Sequence, residues 1–163
     1  MANPKKILVT GATRGMGKEI SKVLAEKGYH VILGARSLQD GQSIVKELES
    51  KGLSVSAVQL DDTDINSVQN AVQNAVQEIN ALDILINNAG IALEASSPSI
   101  LDVTKVKNEF DVNAFGVINV TSAILPILQK EKEAKIINIS SMMGSLNSAL
   151  DKDSIVYSAS VAG

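Results

Sequence analysis

Short apolar runs rich in β-branched residues alternate along this chain with longer segments in which apolar residues recur every three or four positions. The short runs predict buried strands, because a strand that is covered on both faces carries few polar positions. Strands are predicted at residues 6–10, 29–35, 54–60, 82–86 and 135–139. The longer segments predict amphipathic helices. They lie after residue 17, over residues 38–51, after an N-cap at Asp64, and over residues 99–128 with a break at residues 111–113.

This regular alternation of strand and helix predicts a parallel sheet with helices on both faces. Because crossovers between parallel strands are right-handed, the predicted fold class is α/β, a doubly wound parallel sheet of the Rossmann type. Gly28 and Gly52 stand where the first two helices should end. No proline- or serine-rich linker interrupts the pattern, so one domain over residues 1–163 is predicted.

Composition excludes several classes of function. A hydrophobic fraction of 45% with 20% charged residues is typical of a folded globular domain. A net charge of -3 and an aromatic content of 2% argue against nucleic-acid binding. The absence of cysteine excludes disulfides and thiolate chemistry and fits the cytoplasm. No run approaches the ~18 uninterrupted apolar residues of a membrane span, so no membrane partner is expected. The one histidine, His30, begins a strand, and neither a metal site nor a Ser–His pair is expected there.

A glycine-rich loop joins the first predicted strand to the first helix. Its glycines follow the spacing G-x-x-x-G-x-G, and glycine lets backbone N–H groups approach phosphate oxygens at a helix N-terminus. The candidate cofactor-binding residues of this loop are Gly11, Thr13, Arg14, Gly15, Met16 and Gly17. The alternatives are an ordinary βα turn and a nucleotide-binding P-loop. The P-loop is rejected because its motif requires glycine at Ala12 and a hydroxyl residue at Glu19.

Two arginines favour one dinucleotide over the other. A site for NAD(H) usually carries Asp or Glu after the second strand, where it binds the ribose hydroxyls. Here that position is Arg36, and Arg14 projects from the glycine loop. Two guanidinium groups can bind a 2′-phosphate, so NADP(H) is predicted in preference to NAD(H). The alternative is that both are solvated surface arginines.

Six short motifs occur in an order that resembles the short-chain dehydrogenase/reductase family, in its carbonyl-reductase-like branch. The resemblance extends over residues 5–160. The motifs are the loop from Thr10 to Gly17, Leu60-Asp61-Asp62-Thr63, Asn87-Asn88-Ala89-Gly90, Asn113 within Val-Asn-Ala-Phe-Gly, Asn138-Ile-Ser-Ser141, and Tyr157-Ser-Ala-Ser160.

The resemblance implies roles for further residues. Asp61 and the backbone of Asp62 would contact adenine. Asn87, Ala89 and Gly90 would flank the cofactor, and Asn113 would interrupt a helix and hold a water of a proton relay. Ser141 would bind the substrate carbonyl and Tyr157 would donate its proton. Each group also has a simpler interpretation, as a helix-capping turn, a polar turn or the end of a strand.

The chain departs from the family at one catalytic position. A phenol has a pKa of about 10, and the family lowers it with a lysine one helical turn after the tyrosine. Here that position is Val161, and the sequence ends at Gly163, short of the family's last third. The expectation is therefore a C-terminally truncated chain of about five strands with doubtful catalysis. An exposed last strand and a helix face at Ile118, Ile124 and Leu128 would favour homo-oligomers.

The resemblance implies an NADP(H)-dependent oxidoreductase acting on a small-molecule carbonyl or alcohol, without a metal. The alternative is a non-catalytic dinucleotide-binding or dimerising module, which Val161 favours. A flavodoxin-like or receiver domain is disfavoured, because it would need an acidic pocket or a different phosphate loop.

Overall fold

The structure is a computed structural model that describes residues 4–79, 82–93, 101–141 and 147. Strands and helices alternate throughout the described part. The strands are β1 (Lys6–Thr10), β2 (His30–Ala35), β3 (Val55–Gln59), β4 (Ile84–Asn87) and β5 (Lys135–Asn138). The helices are α1 (Gly15–Glu26), α2 (Leu38–Glu49), α3 (Ile65–Ile79), α4 (Val103–Phe110) and α5 (Val117–Leu128), with a π-helical segment at Asp111–Gly116 between the last two.

The strands form one parallel sheet in the order β3-β2-β1-β4-β5. The chain moves outward from β1 to β3 and then returns to the other side of β1. The order therefore reverses between β1 and β4, and an α/β sheet binds its ligands at the carboxyl ends of the strands beside such a point. The predicted doubly wound α/β fold is confirmed.

Each face of the sheet carries its own apolar core. On one face, Val9 and Leu33 of the sheet pack in a cluster with Ala25 of α1 and Leu48 of α2. On the other face, Leu8 and Leu85 lie in a cluster with residues of α3 and α5. Successive side chains of a strand point to opposite faces, so both faces need apolar residues. This explains why the strands are apolar almost throughout.

Gly28 ends α1 as predicted. Its φ of 88° lies in the left-handed region. The N–H of Gly28 donates to the carbonyl of Ala25 at 3.0 Å, and the N–H of Tyr29 donates to that of Leu24 at 3.2 Å. These two bonds form a Schellman motif, which satisfies carbonyls that the helix end leaves open.

Several predicted boundaries differ from the structure, most of them by one or two residues. β4 begins at Ile84 rather than at residue 82, and the carboxylate of Asp83, just before the strand, accepts the N–H of Lys6 at 2.8 Å. α4 begins at Val103, where Asp102 caps the helix by accepting from the N–H of Thr104 at 2.9 Å. The predicted start at residue 99 lies outside the described residues. The expected break at residues 111–113 is the π-helical segment.

The prediction of an uncovered helix face at Ile118, Ile124 and Leu128 is wrong for two of the three residues. Ile124 and Leu128 are buried in the core, and Ile118 is 57% exposed. The reason is helical geometry, since residues 124 and 128 lie one turn apart and face the sheet together, whereas residue 118 is turned about 100° away from that face. β5 is an exposed edge strand in the described part of the chain, where Ile136 and Ile137 are about 40% exposed.

Within the described residues, one helical stretch, Val103–Leu128, is long and apolar enough to cross a membrane. It comprises α4, the π-helical segment and α5. Four residues of α5 are buried in the described fold, namely Val120, Ile124, Ile127 and Leu128. Its high hydropathy therefore arises in part from residues that pack against the sheet.

His30 does form a Ser–His pair, contrary to prediction. Its Nδ1 lies 2.8 Å from Oγ of Ser54, and its Nε2 lies 3.2 Å from Oγ of Ser56. The parallel register pairs Val31 with Val55, which brings the start of β2 beside both serines. The strand pairing, which no local pattern shows, creates this contact.

Acidification should weaken the fold through His30. Burial, with a smaller effect of Lys6, lowers the pKa of His30 below its usual value of 6.5. Its contribution to stability is therefore present above pH 6.5 and lost as pH falls through the lowered pKa. We expect urea unfolding of the protein to show a loss of less than about 1 kcal/mol between pH 7.5 and 5.5, because solvent partly screens the half-exposed imidazole ring. His30→Gln should show no such loss, and because His30 is the only histidine, an equal loss in the variant would contradict this assignment.

Candidate dinucleotide site

A cavity of about 550 Å³ opens at the carboxyl ends of the strands, where the strand order reverses. It contains all the predicted cofactor-binding residues except Asp61 and Asn87. Its lining residues are Gly11, Thr13, Arg14, Gly15, Met16, Gly17, Arg36, Ser37, Asp40, Leu60, Asp62, Asn88, Ala89, Gly90, Ile91 and Val112. Segments separated by up to a hundred residues along the chain therefore meet around one space.

The glycine loop forms the floor of this cavity and requires glycine for two reasons. Gly11 and Gly15 have φ values of 62° and 54°, in the left-handed region that other residues rarely adopt. At Gly17 the reason is space, since a Cβ atom there would lie 2.4 Å from both the carbonyl oxygen of Gly11 and Nδ2 of Asn88. The loop consequently folds back tightly on itself at the start of α1.

The N-terminus of α1 faces the cavity without a side-chain cap. Arg14 occupies the N-cap position with extended backbone, and its side chain makes no capping hydrogen bond. The first N–H groups of a helix lack partners within the helix and carry partial positive charge. Here they lie in a loop that lines the cavity, an arrangement that suits an anionic group such as a pyrophosphate.

Asn88 and Thr10 hold the loop after β4 against the glycine loop, and the sequence did not identify either as a site residue. Nδ2 of Asn88 donates to the carbonyl of Thr10 at 2.9 Å. The hydroxyl oxygen of Thr10 accepts from the N–H groups of Asn88 and Ala89 at 3.0 and 2.9 Å. The sequence does show that each of these residues lies at the carboxyl end of a predicted strand. That position indicates a shared site only once β1 and β4 are known to be neighbours.

Asn87 points away from the cavity. Its side chain is 3% exposed, and its Nδ2 donates to Oγ1 of Thr121 at 3.0 Å and to Oδ1 of Asn138 at 2.8 Å. Adjacent residues of a strand face opposite ways, so Asn87 ties β4 to α5 and β5 while Asn88 lines the site. Oδ1 of Asn87 is buried without a partner in the described structure, which makes it an acceptor for an ordered water.

Arg14 and Arg36 both line the cavity and bring positive charge to it. Arg36 lies immediately before Ser37, the N-cap residue of α2. Oγ of Ser37 accepts the N–H of Asp40 at 3.2 Å. The N-terminus of α2 therefore lies next to Arg36. Asp40 also lines the cavity, and its carboxylate lies in the first turn of α2.

Asp61 and Asp62 have different surroundings. The carboxylate of Asp61 accepts the N–H and the hydroxyl of Thr63 at 3.0 and 2.7 Å, as in a capping turn. Asp62 is 5% exposed and lines the cavity. Burial, reinforced by the neighbouring charge of Asp61, raises the pKa of Asp62 above its usual 3.8.

The π-helical segment reaches the cavity from the other side. Oδ1 of Asn113 accepts the N–H of Ile91 at 2.9 Å, and its Nδ2 donates to the carbonyl of Ile91 at 2.8 Å. This reciprocal pair holds the loop after β4 to the widened helix, and π-bulges of this kind are frequent at functional sites.

Of the other predicted catalytic residues, only Ser141 is described. It follows β5 and is exposed. Tyr157 and the departure at Val161 lie outside the described residues.

Comparisons with known proteins agree on one family. A protein-family model described as short chain dehydrogenase matches residues 5–163. The 3-oxoacyl-(acyl-carrier-protein) reductase FabG of Staphylococcus aureus is 31% identical over 164 residues, which cover all of this chain and 66% of the relative. The NADP-dependent 3-hydroxy acid dehydrogenase of Schizosaccharomyces pombe is 37% identical over 145 residues, covering 86% of this chain and 55% of that protein.

Solved structures give the same result. A gluconate 5-dehydrogenase from Burkholderia cenocepacia, in complex with NADP and tartrate, matches with a TM-score of 0.83 and 26% identity. The match covers 89% of this chain and 56% of that one. The chain thus spans between about half and two thirds of the length of these relatives.

Proposed function

The chain belongs to the short-chain dehydrogenase family, and we propose that its cavity binds NADP(H) for hydride transfer between the nicotinamide and a carbonyl or alcohol group of a small molecule. The observation that carries this proposal is the glycine loop. A side chain at Gly17 would collide with Gly11 and Asn88, and Gly11 has the left-handed backbone that such a loop needs. The loop therefore leaves room for a pyrophosphate at the N-terminus of α1.

The cavity has separate walls for the parts of a dinucleotide. Arg14 and Arg36 would bind a 2′-phosphate, and Asp62, beyond β3, would lie along the adenine. Ala89 and Gly90, beyond β4, would flank the remainder of the cofactor. The preference for NADP(H) is supported by the two arginines, by a relative named as NADP-dependent and by a structural neighbour solved with NADP.

When bound, the cofactor would supply the hydride. This chain's residues would supply the rest of the chemistry. Asn113, fixed by Ile91, is proposed to hold a water of the proton relay. Ser141 would hydrogen-bond the substrate oxygen and Tyr157 would transfer its proton. The names of the relatives, a 3-oxoacyl reductase and a 3-hydroxy acid dehydrogenase, support a carbonyl or hydroxyl substrate.

The proposed binding is tested by titrating the chain with NADPH and, in parallel, NADH, following the fluorescence of the reduced nicotinamide. We expect saturable binding of NADPH at least about tenfold tighter than that of NADH, because charge-assisted hydrogen bonds to a phosphate are strong. A folded sample that binds neither cofactor would overturn the proposal.

A second candidate, a non-catalytic dinucleotide-binding or dimerising module, rests on Val161 in place of the family's lysine. The two candidates differ in turnover, since the module would bind NADPH without oxidising it in the presence of carbonyl substrates. Exposed apolar residues support self-association in either case. They include Phe115 and Ile118 of the long helical stretch and Ile136 and Ile137 of β5.

A further inference from the structure

One helix region contacts two opposite walls of the cavity. The π-helical segment and the start of α5 touch both the turn after β3 and the loop after β4. We propose that Gly116 and Asn119 are positioning residues of the dinucleotide site: they hold the turn at Asp62 in the orientation in which its backbone reads adenine. The inference rests on the proposed function and assigns new residues to it.

The contact to the β3 turn consists of one hydrogen bond and one close approach. Nδ2 of Asn119 donates to the carbonyl oxygen of Asp62 at 3.1 Å. Gly116 is buried, and a Cβ atom there would lie 3.1 Å from both Cβ and Cγ of Asp62. The helix can therefore lie directly against the Asp62 side chain only because residue 116 has none. Together the two contacts fix the main chain and the side chain of Asp62.

The turn needs such a support from outside. The carboxylate of Asp61 accepts the N–H of Thr63 within the turn. The N–H of Asp61 donates to Oγ of Ser67 at 2.9 Å. These bonds therefore join the turn only to itself and to the start of α3. The hydrogen bond from Asn119 joins the turn to α5, a separate element of the fold. The buried Asp62 carboxyl packs against Gly116, which limits rotation of this residue.

The same helix region sets the opposite wall. Asn113 makes its two hydrogen bonds to Ile91 only three residues before Gly116. The widened helical turn thus places the Ile91 contact and the contact of Gly116 with Asp62 on one short helical segment. This geometry sets the distance between the adenine wall and the β4 wall of the cavity.

The test compares NADPH with its hypoxanthine analogue, deamino-NADPH, which differs only at the base edge. The unmodified chain should bind NADPH about fivefold more tightly than the analogue. This difference in affinity corresponds to the free energy of about one hydrogen bond. Asn119→Asp places a carboxylate against the Asp62 carbonyl, Asn119→Ala removes the donor, and Gly116→Ala pushes the turn away. Each variant should reduce the preference to less than about twofold.

The matched control is Asn70→Asp, which introduces the same charge at an exposed position of α3. It should keep the preference of the unmodified chain. Thermal unfolding of every variant identifies the folded samples, and Asn119→Ala provides a test without added charge or bulk.

Loss of the preference in the Asn119 and Gly116 variants, with retention in the control, supports the inference. Variants that bind both cofactors more weakly by the same factor would overturn it, because a purely structural role changes both affinities together. Equal binding of the two cofactors by the unmodified chain would also overturn it. Binding of neither by the unmodified chain contradicts the proposed function itself, and that result is distinct from the other two.

Discussion

Replacing Gly17 with alanine is expected to abolish dinucleotide binding. The added methyl group would lie 2.4 Å from the carbonyl oxygen of Gly11, which is backbone and cannot rotate away. It would also lie 2.4 Å from Nδ2 of Asn88, whose hydrogen bonds join the two loops of the site. We expect NADPH affinity to fall by about 100-fold or more and the free energy of unfolding to fall by about 3 kcal/mol, as for an overpacked site. Fluorescence titration and urea unfolding measure the two effects.

Gly52→Ala is the control for the loss of stability that a glycine replacement causes outside the cavity. Gly52 has a φ of 76° and open space around its Cα, and it lies at the end of α2, outside the cavity lining. The Gly52→Ala variant should be about 1 kcal/mol less stable, because alanine disfavours the left-handed backbone. Its NADPH affinity should stay unchanged. If Gly17→Ala bound NADPH as tightly as the unmodified chain, the glycine loop would not be the pyrophosphate site.

The second large effect is expected for the double variant Arg14→Gln/Arg36→Gln. Both guanidinium groups line the cavity, and neither has a carboxylate partner among the ion pairs of the described residues. If they bind the 2′-phosphate, their removal should weaken NADPH binding by about 100-fold, at the lower end of two charge-assisted hydrogen bonds. NADH, which lacks this phosphate, should bind within about twofold of its original affinity. Parallel titrations with both cofactors measure the change in preference.

The charge-matched control is Lys22→Gln/Lys46→Gln, which removes two cations from α1 and α2 outside the cavity lining. It should change NADPH affinity only slightly, because solvent and salt screen distant surface charges. An equal loss of NADPH and NADH affinity in the arginine variant would mean that the arginines act on the pyrophosphate or on the loop, and NADP(H) selectivity would need another origin.

Much of the fold was predictable because its elements depend on nearby residues. The apolar runs at 6–10 and 135–139 contain the strands β1 and β5, as their β-branched residues predict, and Gly28 ends a helix because its backbone is left-handed. The glycine loop could be recognised for the same reason, since its function depends on residues within one turn of chain. Boundaries were less certain, as at the start of β4, where the carboxylate of Asp83 accepts a backbone N–H from β1.

Contacts between distant segments were not predictable, because they depend on which strands are neighbours and on where each helix lies. The pairing of His30 with Ser54, the bond from Asn88 to Thr10 and the bond from Asn119 to Asp62 each join residues more than twenty positions apart. The local periodicity of a sequence specifies strands, helices and a loop suited to phosphate. The order of the parallel sheet is set by the packing of both of its faces at once, and that packing decided which polar side chains face the cavity and which, like Asn87, hold the sheet together.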